Sequence, residues 1–329
     1  MENVTNTDAG SHLAPPPTRN YRLSFSGNGG EYFGIIIVNW LLTVITLGLY
    51  YPWAKARELQ YLYGATEFEE NRFTFHGTGK EMFKGFIKAL IIFGILMAAF
   101  IGCAFTNHPL LGLVILYGGL FALIPLAIHG SYRYRMSRTS WRGIRFGYRG
   151  DRNELFVNFF KWIFFTVITF GIYGAWMSMH LRNYVLNNVR FGNMKFRYKG
   201  NGGDYFVLNL KGYFLTILTL GIYIAWWQRD LFNYYVNNLS LHDEEREVKF
   251  RSTITGGGIF GMAIVNILIL IFTLGLGYAW VVTRSLQYVF RNIQPEGTID
   301  FNRLEQTEAQ YTDATGEDIS DLLDFGFVI

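Results

Sequence analysis

A segment of about fifty residues recurs along most of this chain, and it limits the possible fold more than any other feature. Each copy opens with a short alternating run, passes through glycines or turn residues, and reaches a phenylalanine ten residues after its first apolar residue. The copies are LSFSGNGGEYF (23–33), FTFHGTGKEMF (73–83), FGYRGDRNELF (146–156), FRYKGNGGDYF (196–206) and FRSTITGGGIF (250–260). Repeats of this length indicate supersecondary units that bury their apolar faces only against neighbouring copies.

The spacing of the copies predicts the organisation of the chain. A polar tail with three consecutive prolines, residues 1–20, is expected to be disordered. A repeat-built membrane domain follows over residues 21–293, and an acidic tail over residues 294–329 closes the sequence. The units of the domain lie near residues 23–72, 73–145, 146–195, 196–249 and 250–293.

Further residues recur inside the units. A tryptophan stands twenty residues after the phenylalanine in all units except the second: Trp53, Trp176, Trp226 and Trp280. Tryptophan is enriched at membrane–water boundaries, so we expect these four to be interface anchors. Each is preceded by a Thr-x-Gly sequence, which weakens a helix and predicts a kink or turn. These candidate helix breaks are Thr46 and Gly48, Thr169 and Gly171, Thr219 and Gly221, and Thr273 and Gly275.

The composition favours a membrane protein. Half of the residues are hydrophobic and only 16% are charged, against about 25% charged in soluble domains. The apolar residues cluster in six stretches, several of which approach the ~20 residues that cross a bilayer. These stretches are Ile35–Tyr51, Phe86–Phe105, Leu110–Ile128, Phe159–Met177, Phe214–Trp227 and Ile259–Val282.

We therefore expect an all-α polytopic membrane protein of about five repeats, each a short β segment, a glycine turn, a kinked membrane helix and a second short helix. The short strands are expected to pair into a small sheet at one membrane face. Two arrangements stay open. In the first arrangement, each ordinary unit crosses the membrane once. In the second, the chain turns at Thr-x-Gly and every unit returns to its starting side.

An amide followed by a tyrosine recurs seven residues beyond the tryptophan, and we single it out as a candidate functional position. Pseudosymmetry would array these side chains around one axis, where they line a polar path; the alternative is that they are hydrogen-bond links between helices. The threonines of the helix breaks have a similar ambiguity, between capping and solute coordination. The candidate path residues are Gln60, Arg133, Asn183, Asn233 and Gln287.

No catalytic constellation, cofactor motif or metal-ligand spacing is found, so we do not expect an enzyme. The glycine segments resemble phosphate-binding loops, but degenerate copies at unit junctions are better explained as turns. Residues 1–293 hold 28 Lys and Arg against 16 Asp and Glu, whereas residues 294–329 hold 1 against 9. In a membrane protein this balance predicts anionic lipid headgroups as partners of a basic face, with no nucleic acid, and a possible protein partner for the acidic tail. The tail ends in a candidate docking helix, residues 319–325; the alternative is a solvated tail near the basic face.

The glycine segments and the TLG stretches, notably TLGLYYPWAKAR and TLGIYIAWW, resemble the YjgN-type family of bacterial inner-membrane proteins over roughly residues 21–293. The resemblance implies a bacterial inner-membrane location and a multi-pass fold, and it carries over no catalytic residues. Our leading functional hypothesis is a transport or channel-like role through the polar path. The alternative is a non-transporting scaffold that binds anionic lipid or a protein partner.

Overall fold

The computed structural model of the protein describes residues 19–243, 246–298 and 301–307. Within these residues the chain forms eleven β-strands, ten α-helices and one 3-10 helix. One order of elements, a strand followed by two helices and a second strand, occurs five times in succession. The two strands of each unit pair in antiparallel register, so the helix hairpin between them begins and ends at the sheet.

The units differ mainly in the lengths of their helices. Unit one contains β2 (Leu23–Phe25), α1 (Gly29–Ile45), α2 (Tyr51–Gly64) and β3 (Thr66–Phe68). Unit two contains β4 (Asn71–Phe75), α3 (Gly79–Phe105), α4 (Pro109–Ser137) and β5 (Thr139–Trp141). Unit three contains β6 (Ile144–Tyr148), α5 (Arg152–Ile168), α6 (Gly174–Asn187) and β7 (Val189–Phe191). Unit four contains β8 (Met194–Tyr198), α7 (Gly202–Leu218), α8 (Ile224–Asn237) and β9 (Leu239–His242). Unit five contains β10 (Glu247–Ser252), α9 (Gly256–Phe272), α10 (Tyr278–Arg291) and β11 (Ile293–Gly297), and the short β1 (Arg19–Asn20) and the 3-10 helix Phe301–Arg303 lie outside the units.

A polar residue caps the first helix of every unit at the same place. The capping residues, whose side chains each accept a hydrogen bond from a backbone N–H of the following turn, are Asn28, Thr78, Asp151, Asn201 and Thr255. Such caps satisfy N–H groups that a helix leaves without partners in its first turn. Because the caps follow paired strands at equivalent positions, the five first helices start at one level above the sheet.

The first helix of four units ends at the Thr-x-Gly sequence. In unit one, Leu47 and Gly48 have φ angles of 50° and 91°, in the left-handed region that glycine adopts without steric cost. The Thr46 hydroxyl donates to the Leu42 carbonyl at 2.7 Å and accepts from the Tyr50 N–H at 3.0 Å. The same turn recurs in units three, four and five at Thr169–Gly171, Thr219–Gly221 and Thr273–Gly275. At all four places the threonine caps the broken helix and the chain reverses direction.

All eleven strands belong to one antiparallel sheet, in which β1 and β2 are the two end strands. The sheet curls so that consecutive residues form both ends: Arg19–Asn20 pair with β11, and Leu23–Phe25 pair with β3. The Tyr21 N–H continues the first ladder by donating to the Pro295 carbonyl at 2.8 Å. The segment 19–25 therefore joins the last unit to the first and closes the five units into a ring.

The inner face of the curled sheet is apolar and largely aromatic. In every unit the first apolar residue of the sequence repeat pairs with a residue of the closing strand, and the pairs are Leu23–Phe68, Phe73–Trp141, Phe146–Phe191, Phe196–Leu241 and Phe250–Pro295. Nine of these ten side chains belong to one cluster with Tyr21, Met194 and Val248. This cluster is the core of the sheet, and it fills the ring.

The chain after β11 packs onto the same cluster. The ring of Phe301 lies 5.0 Å from that of Tyr21 and 5.7 Å from that of Trp141, between ring centroids. Further on, the Thr307 hydroxyl donates to the Gly192 carbonyl at 2.6 Å. The start of the acidic tail thus covers the sheet core from unit one to unit three.

The expectation of an all-α fold is wrong. The short alternating segments pair into one eleven-stranded sheet that organises the whole chain. Strands of three to six residues give a weak sequence signal, and the partner within each unit lies beyond a helix hairpin. Of the two arrangements left open, the structure has the returning one, because each hairpin ends at the sheet where it began.

The six apolar stretches do not form six helices that could each cross a membrane. Among the described residues, only Gly79–Phe105 and Pro109–Ser137 are long and apolar enough to cross a membrane. In the other units the first helix has 17 residues and the second has 14.

The two predicted tails fall largely outside the described residues. Of the tail expected to be disordered, residues 1–20, the described part is Arg19–Asn20, which forms β1. Of the acidic tail, residues 294–297 belong to β11 and residues 301–307 pack on the sheet. The candidate docking helix, residues 319–325, lies outside the described part, and a protein partner for the tail stays a prediction.

Candidate functional site: the seams between units

We call the contact between the second helix of one unit and the strand-to-helix segment of the next a seam, and number it by its two units. Four of the five seams hold a tryptophan packed on a glycine. In seam 3–4 the Trp176 indole lies against Gly202, where a Cβ atom would overlap the ring, and its centroid is 5.6 Å from that of Phe206. The corresponding pairs are Trp53 on Gly79, Trp226 on Gly256 and Trp280 on Gly29. The tryptophans predicted as interface anchors therefore lie in the seams; their membrane depth stays a prediction.

The recurring amides lie in the same seams and bond the backbone of the next unit. The Asn183 side chain donates to the Gly200 carbonyl at 2.9 Å and accepts from the Gly200 N–H at 3.1 Å. Equivalent bonds run from Gln60 to the Gly77 carbonyl at 2.9 Å, from Gln287 to Gly27 at 3.0 Å and from Asn233 to Ile254 at 3.5 Å. The amides are thus distributed around the ring in four of the five seams, and each bonds the backbone of the neighbouring unit. A polar path along them stays a prediction.

In units one, three and four, the tyrosine that follows the amide bonds its own unit instead. The Tyr234 hydroxyl accepts from the N–H of Asn201 at 2.7 Å and donates to the carbonyl of the same residue at 2.8 Å. Tyr61 and Tyr184 bond the caps of α1 and α5 in the same way. Two adjacent side chains therefore fix the start of one helix within the unit and the approach of the next unit.

Seam 2–3 is built differently. Arg133 stands at the amide position, while Leu126 and Arg152 stand where the other seams have tryptophan and glycine. Aromatic packing higher on the helices replaces them, with Phe121 of α4 5.7 Å from Phe159 of α5 between ring centroids. The seam that lacks the tryptophan also lacks the glycine.

Seam 5–1, which closes the ring, contains a cleft of about 450 Å³. Its walls are the start of α1 at Asn28–Gly29 and the α10 side chains of Trp280, Arg284 and Gln287. Arg284 is exposed, and its charge adds to the positive end of the α1 dipole. The cleft falls within the size range of small-molecule sites.

The outer face of the sheet is basic over three neighbouring strands. β6, β7 and β8 carry Arg145, Arg190, Lys195 and Arg197 and no acidic residue. The cross-strand register and the alternation of strand residues place all four on one face. Burial, and after it the Arg197 guanidinium, lower the pKa of His242 on the adjacent strand β9 below its usual range.

Sequence reasoning missed the glycines that receive the tryptophans. Their signal is recurrence six residues after the first apolar residue of each unit, with Arg152 as the exception. We interpreted those glycines as turn residues only, because the tryptophan that needs the space belongs to the preceding unit. Among the described residues, no group of three or more His, Cys, Asp and Glu side chains is arranged to hold a metal ion.

Comparison with known proteins places the chain in a family. The model of the DUF898 family, described as bacterial protein of unknown function, matches residues 20–199, 193–245 and 227–322. The inner membrane protein YjgN of Salmonella typhimurium strain LT2 is 35% identical over 137 residues, which are 42% of this chain and 33% of that protein. YjgN of Escherichia coli strain K12 is 36% identical over 124 residues, 38% of this chain and 30% of that protein. No solved structure matches.

The matched segments span about a third of the length of these curated relatives. The family model, in contrast, covers most of the present chain. Both relatives are named as inner membrane proteins. The expected resemblance to YjgN-type proteins and the inner-membrane location are thereby confirmed. This chain belongs to the DUF898 family and is a YjgN-like protein of the bacterial inner membrane.

Proposed function

We propose that the protein is a non-transporting membrane scaffold that binds anionic lipid headgroups through a cationic belt. The belt consists of Lys161 and Lys211 on the helices and of the basic face of β6–β8. Its support is the position of the two lysines: both are exposed, and each lies within its helix, just before the uncharged apolar part that leads to the hairpin tip. Phe164 and Phe214, one turn beyond them, are 60% and 65% exposed.

This placement matches the chemistry of a membrane surface. Exposed apolar side chains belong in hydrocarbon, so the lysines that border them lie at the level of the phosphate groups. Each Lys or Arg near an anionic surface contributes about 1 kcal/mol to the attraction. The basic sheet face extends the positive field further from the bilayer, within about one to two Debye lengths.

The proposal is tested by the lipids that the purified protein retains. Native mass spectrometry in an equimolar mixture of phosphatidylglycerol and phosphatidylethanolamine gives the ratio of the two bound lipids. The double variant Lys161→Gln/Lys211→Gln is expected to weaken phosphatidylglycerol retention about thirtyfold, from two charges at about 1 kcal/mol each. Retention of phosphatidylethanolamine is expected to stay unchanged.

A matched control separates headgroup binding from general loss of charge. Arg72→Gln also removes an exposed cation, but one that is paired with Glu67 at 2.9 Å. We expect this variant to retain phosphatidylglycerol as the parent protein does. If the double lysine variant behaves like Arg72→Gln, the scaffold proposal is wrong.

A second candidate, transport of a small anionic solute, is favoured by the cleft in seam 5–1. One of the predicted path residues, Gln287, lines it beside the exposed Arg284. The test is solute flux into liposomes that contain the purified protein. Flux that Gln287→Leu abolishes and Asn183→Leu preserves supports a route through the cleft. Flux that survives leucine at Gln60, Asn183, Asn233 and Gln287 together rules out the polar path.

A further inference from the structure

We propose that four of the five helix hairpins end inside the bilayer near its middle, and that the hairpin of unit two alone crosses it. The entire sheet then lies on one side of the membrane. The apolar surface of each short hairpin then contacts the hydrocarbon of a single leaflet. Helix length, charge placement and the chemistry of the hairpin tips each support this arrangement.

The first helix of unit two is longer than the first helices of the other units by about the thickness of one leaflet. The five first helices start at one level, since their caps follow paired strands at equivalent positions. A helix of 17 residues, such as α7, is about 25 Å long, and the 27 residues of α3 extend about 40 Å. The tip of unit two therefore projects about 15 Å beyond the others, which is half of a ~30 Å hydrocarbon core.

The positions of the charged residues limit how deep the short hairpins enter the bilayer. In unit four the uncharged chain runs from Gly212 to Gln228, between Lys211 and Arg229, and reverses at Leu220. Each arm of this stretch rises about 13 Å, close to the depth of one leaflet. In unit two the uncharged chain runs from Ala89 to Tyr132. Its first arm, up to the end of α3, rises about 25 Å.

The hairpin tips have opposite chemistry. The tips of the short hairpins present large apolar side chains that are between 92% and 97% exposed: Leu47, Phe170, Leu220 and Leu274. The tip of unit two is the polar sequence Thr106-Asn107-His108. An apolar tip suits hydrocarbon and a polar tip suits the water beyond it.

The backbone hydrogen bonds of the short tips also suit a position in hydrocarbon. There, an N–H group without a hydrogen-bond partner costs several kcal/mol. In unit one every N–H from Thr46 to Tyr51 donates within the turn, five of them to carbonyl groups and that of Tyr50 to the Thr46 hydroxyl. The Thr-x-Gly sequence is thus a self-contained cap that lets a helix reverse without water.

Single cysteines in a Cys103→Ser background test the arrangement with a membrane-impermeant maleimide. Labelling is compared in spheroplasts, in lysed membranes and in detergent. We expect Asn107→Cys to react in spheroplasts, since the tip of unit two reaches the far side. Lys195→Cys, on the sheet, is expected to react only after lysis, because the excess of Lys and Arg around the sheet places it in the cytoplasm. Leu220→Cys is expected to react only in detergent.

Every other pattern overturns the proposal. Reaction of Leu220→Cys in spheroplasts means that its hairpin crosses the bilayer, and reaction in lysed membranes means that its tip is not embedded. Failure of Asn107→Cys to react in spheroplasts means that unit two does not cross. If Leu220→Cys does not accumulate, Leu47→Cys and Phe170→Cys give the same test at equivalent tips.

Discussion

Seam 3–4 and seam 2–3 join equivalent parts of neighbouring units by different means. In seam 3–4, Trp176 occupies the space that Gly202 leaves, and Asn183 holds the loop beside it with two hydrogen bonds. In seam 2–3, Leu126 and Arg152 replace the tryptophan and the glycine together. The tryptophan and the glycine are replaced together, which indicates that they form one packing contact. The indole needs the space beside a glycine, and the glycine is needed only where an indole packs on it.

The difference follows from the hairpin of unit two. Its long helices extend beyond their neighbours, and at this seam the contact of Phe121 with Phe159 stands in place of the indole–glycine pair. The indole–glycine pair is thus present in the four seams that follow a short hairpin and absent from the seam that follows the long one.

The largest effect is expected from Gly202→Arg, which places a side chain where the Trp176 indole lies. Overpacking of this kind costs about 3 kcal/mol. The double variant Trp176→Leu/Gly202→Arg reproduces the residue pair of seam 2–3 and removes the overlap, so we expect it to recover more than half of the loss. Unfolding in detergent, followed by circular dichroism, measures both. A double variant no more stable than the single one would show that the two residues are not coupled.

A smaller effect is expected from Asn183→Leu. The Gly200 N–H and carbonyl both lose their partner, at a cost of about 2 kcal/mol. Asn233→Leu is the matched control, because its single bond to the Ile254 carbonyl is 3.5 Å long and its Oδ1 has no hydrogen-bond partner among the described residues. We expect the control to lose less than half as much stability in the same unfolding experiment. Equal losses would contradict the role assigned to the bidentate contact.

The smallest effect is expected from Tyr234→Phe. This change removes one hydroxyl that makes two hydrogen bonds to Asn201, at a cost of about 1 kcal/mol. In unit two the Tyr134 hydroxyl reaches Glu81 at 3.2 Å, and Arg138 also contacts that carboxylate at 2.9 Å. Tyr134→Phe is expected to cost less, because the guanidinium keeps Glu81 in place. A larger loss for Tyr134→Phe would mean that unit two relies on this tyrosine more than the short units do.

Much of this architecture was open to prediction from the sequence. The unit starts, the Thr-x-Gly positions and the amide–tyrosine pairs are all visible as recurrences, because each serves the same local purpose in successive copies. Asn183 was singled out from its position alone. Its side chain bonds the neighbouring loop at Gly200, and a polar path along the amides stays a prediction.

The sheet and the seams were harder to predict for a physical reason. The closing strand of unit four, Leu239–His242, pairs with residues that precede it by a whole helix hairpin, and no local pattern reports such a partner. The space at Gly202 likewise has meaning only beside Trp176. The Thr-x-Gly sequences predict a kink or turn, but composition alone does not show that the chain reverses fully at Leu47 or Leu220 and returns to the sheet.

The closure of the ring by residues 19–25 has a consequence for biosynthesis. This segment is synthesised before the five units, whereas β11, which pairs with Arg19–Asn20, belongs to the fifth of them. Until then the growing sheet has two unpaired edges, and unpaired edges are templates for pairing with other chains. Hairpins anchored in a bilayer hold the two ends of one chain near each other, which lowers the entropic cost of closure. Release of the last unit is thus the step at which a nascent ring either closes on itself or exchanges its N-terminal segment with a second copy.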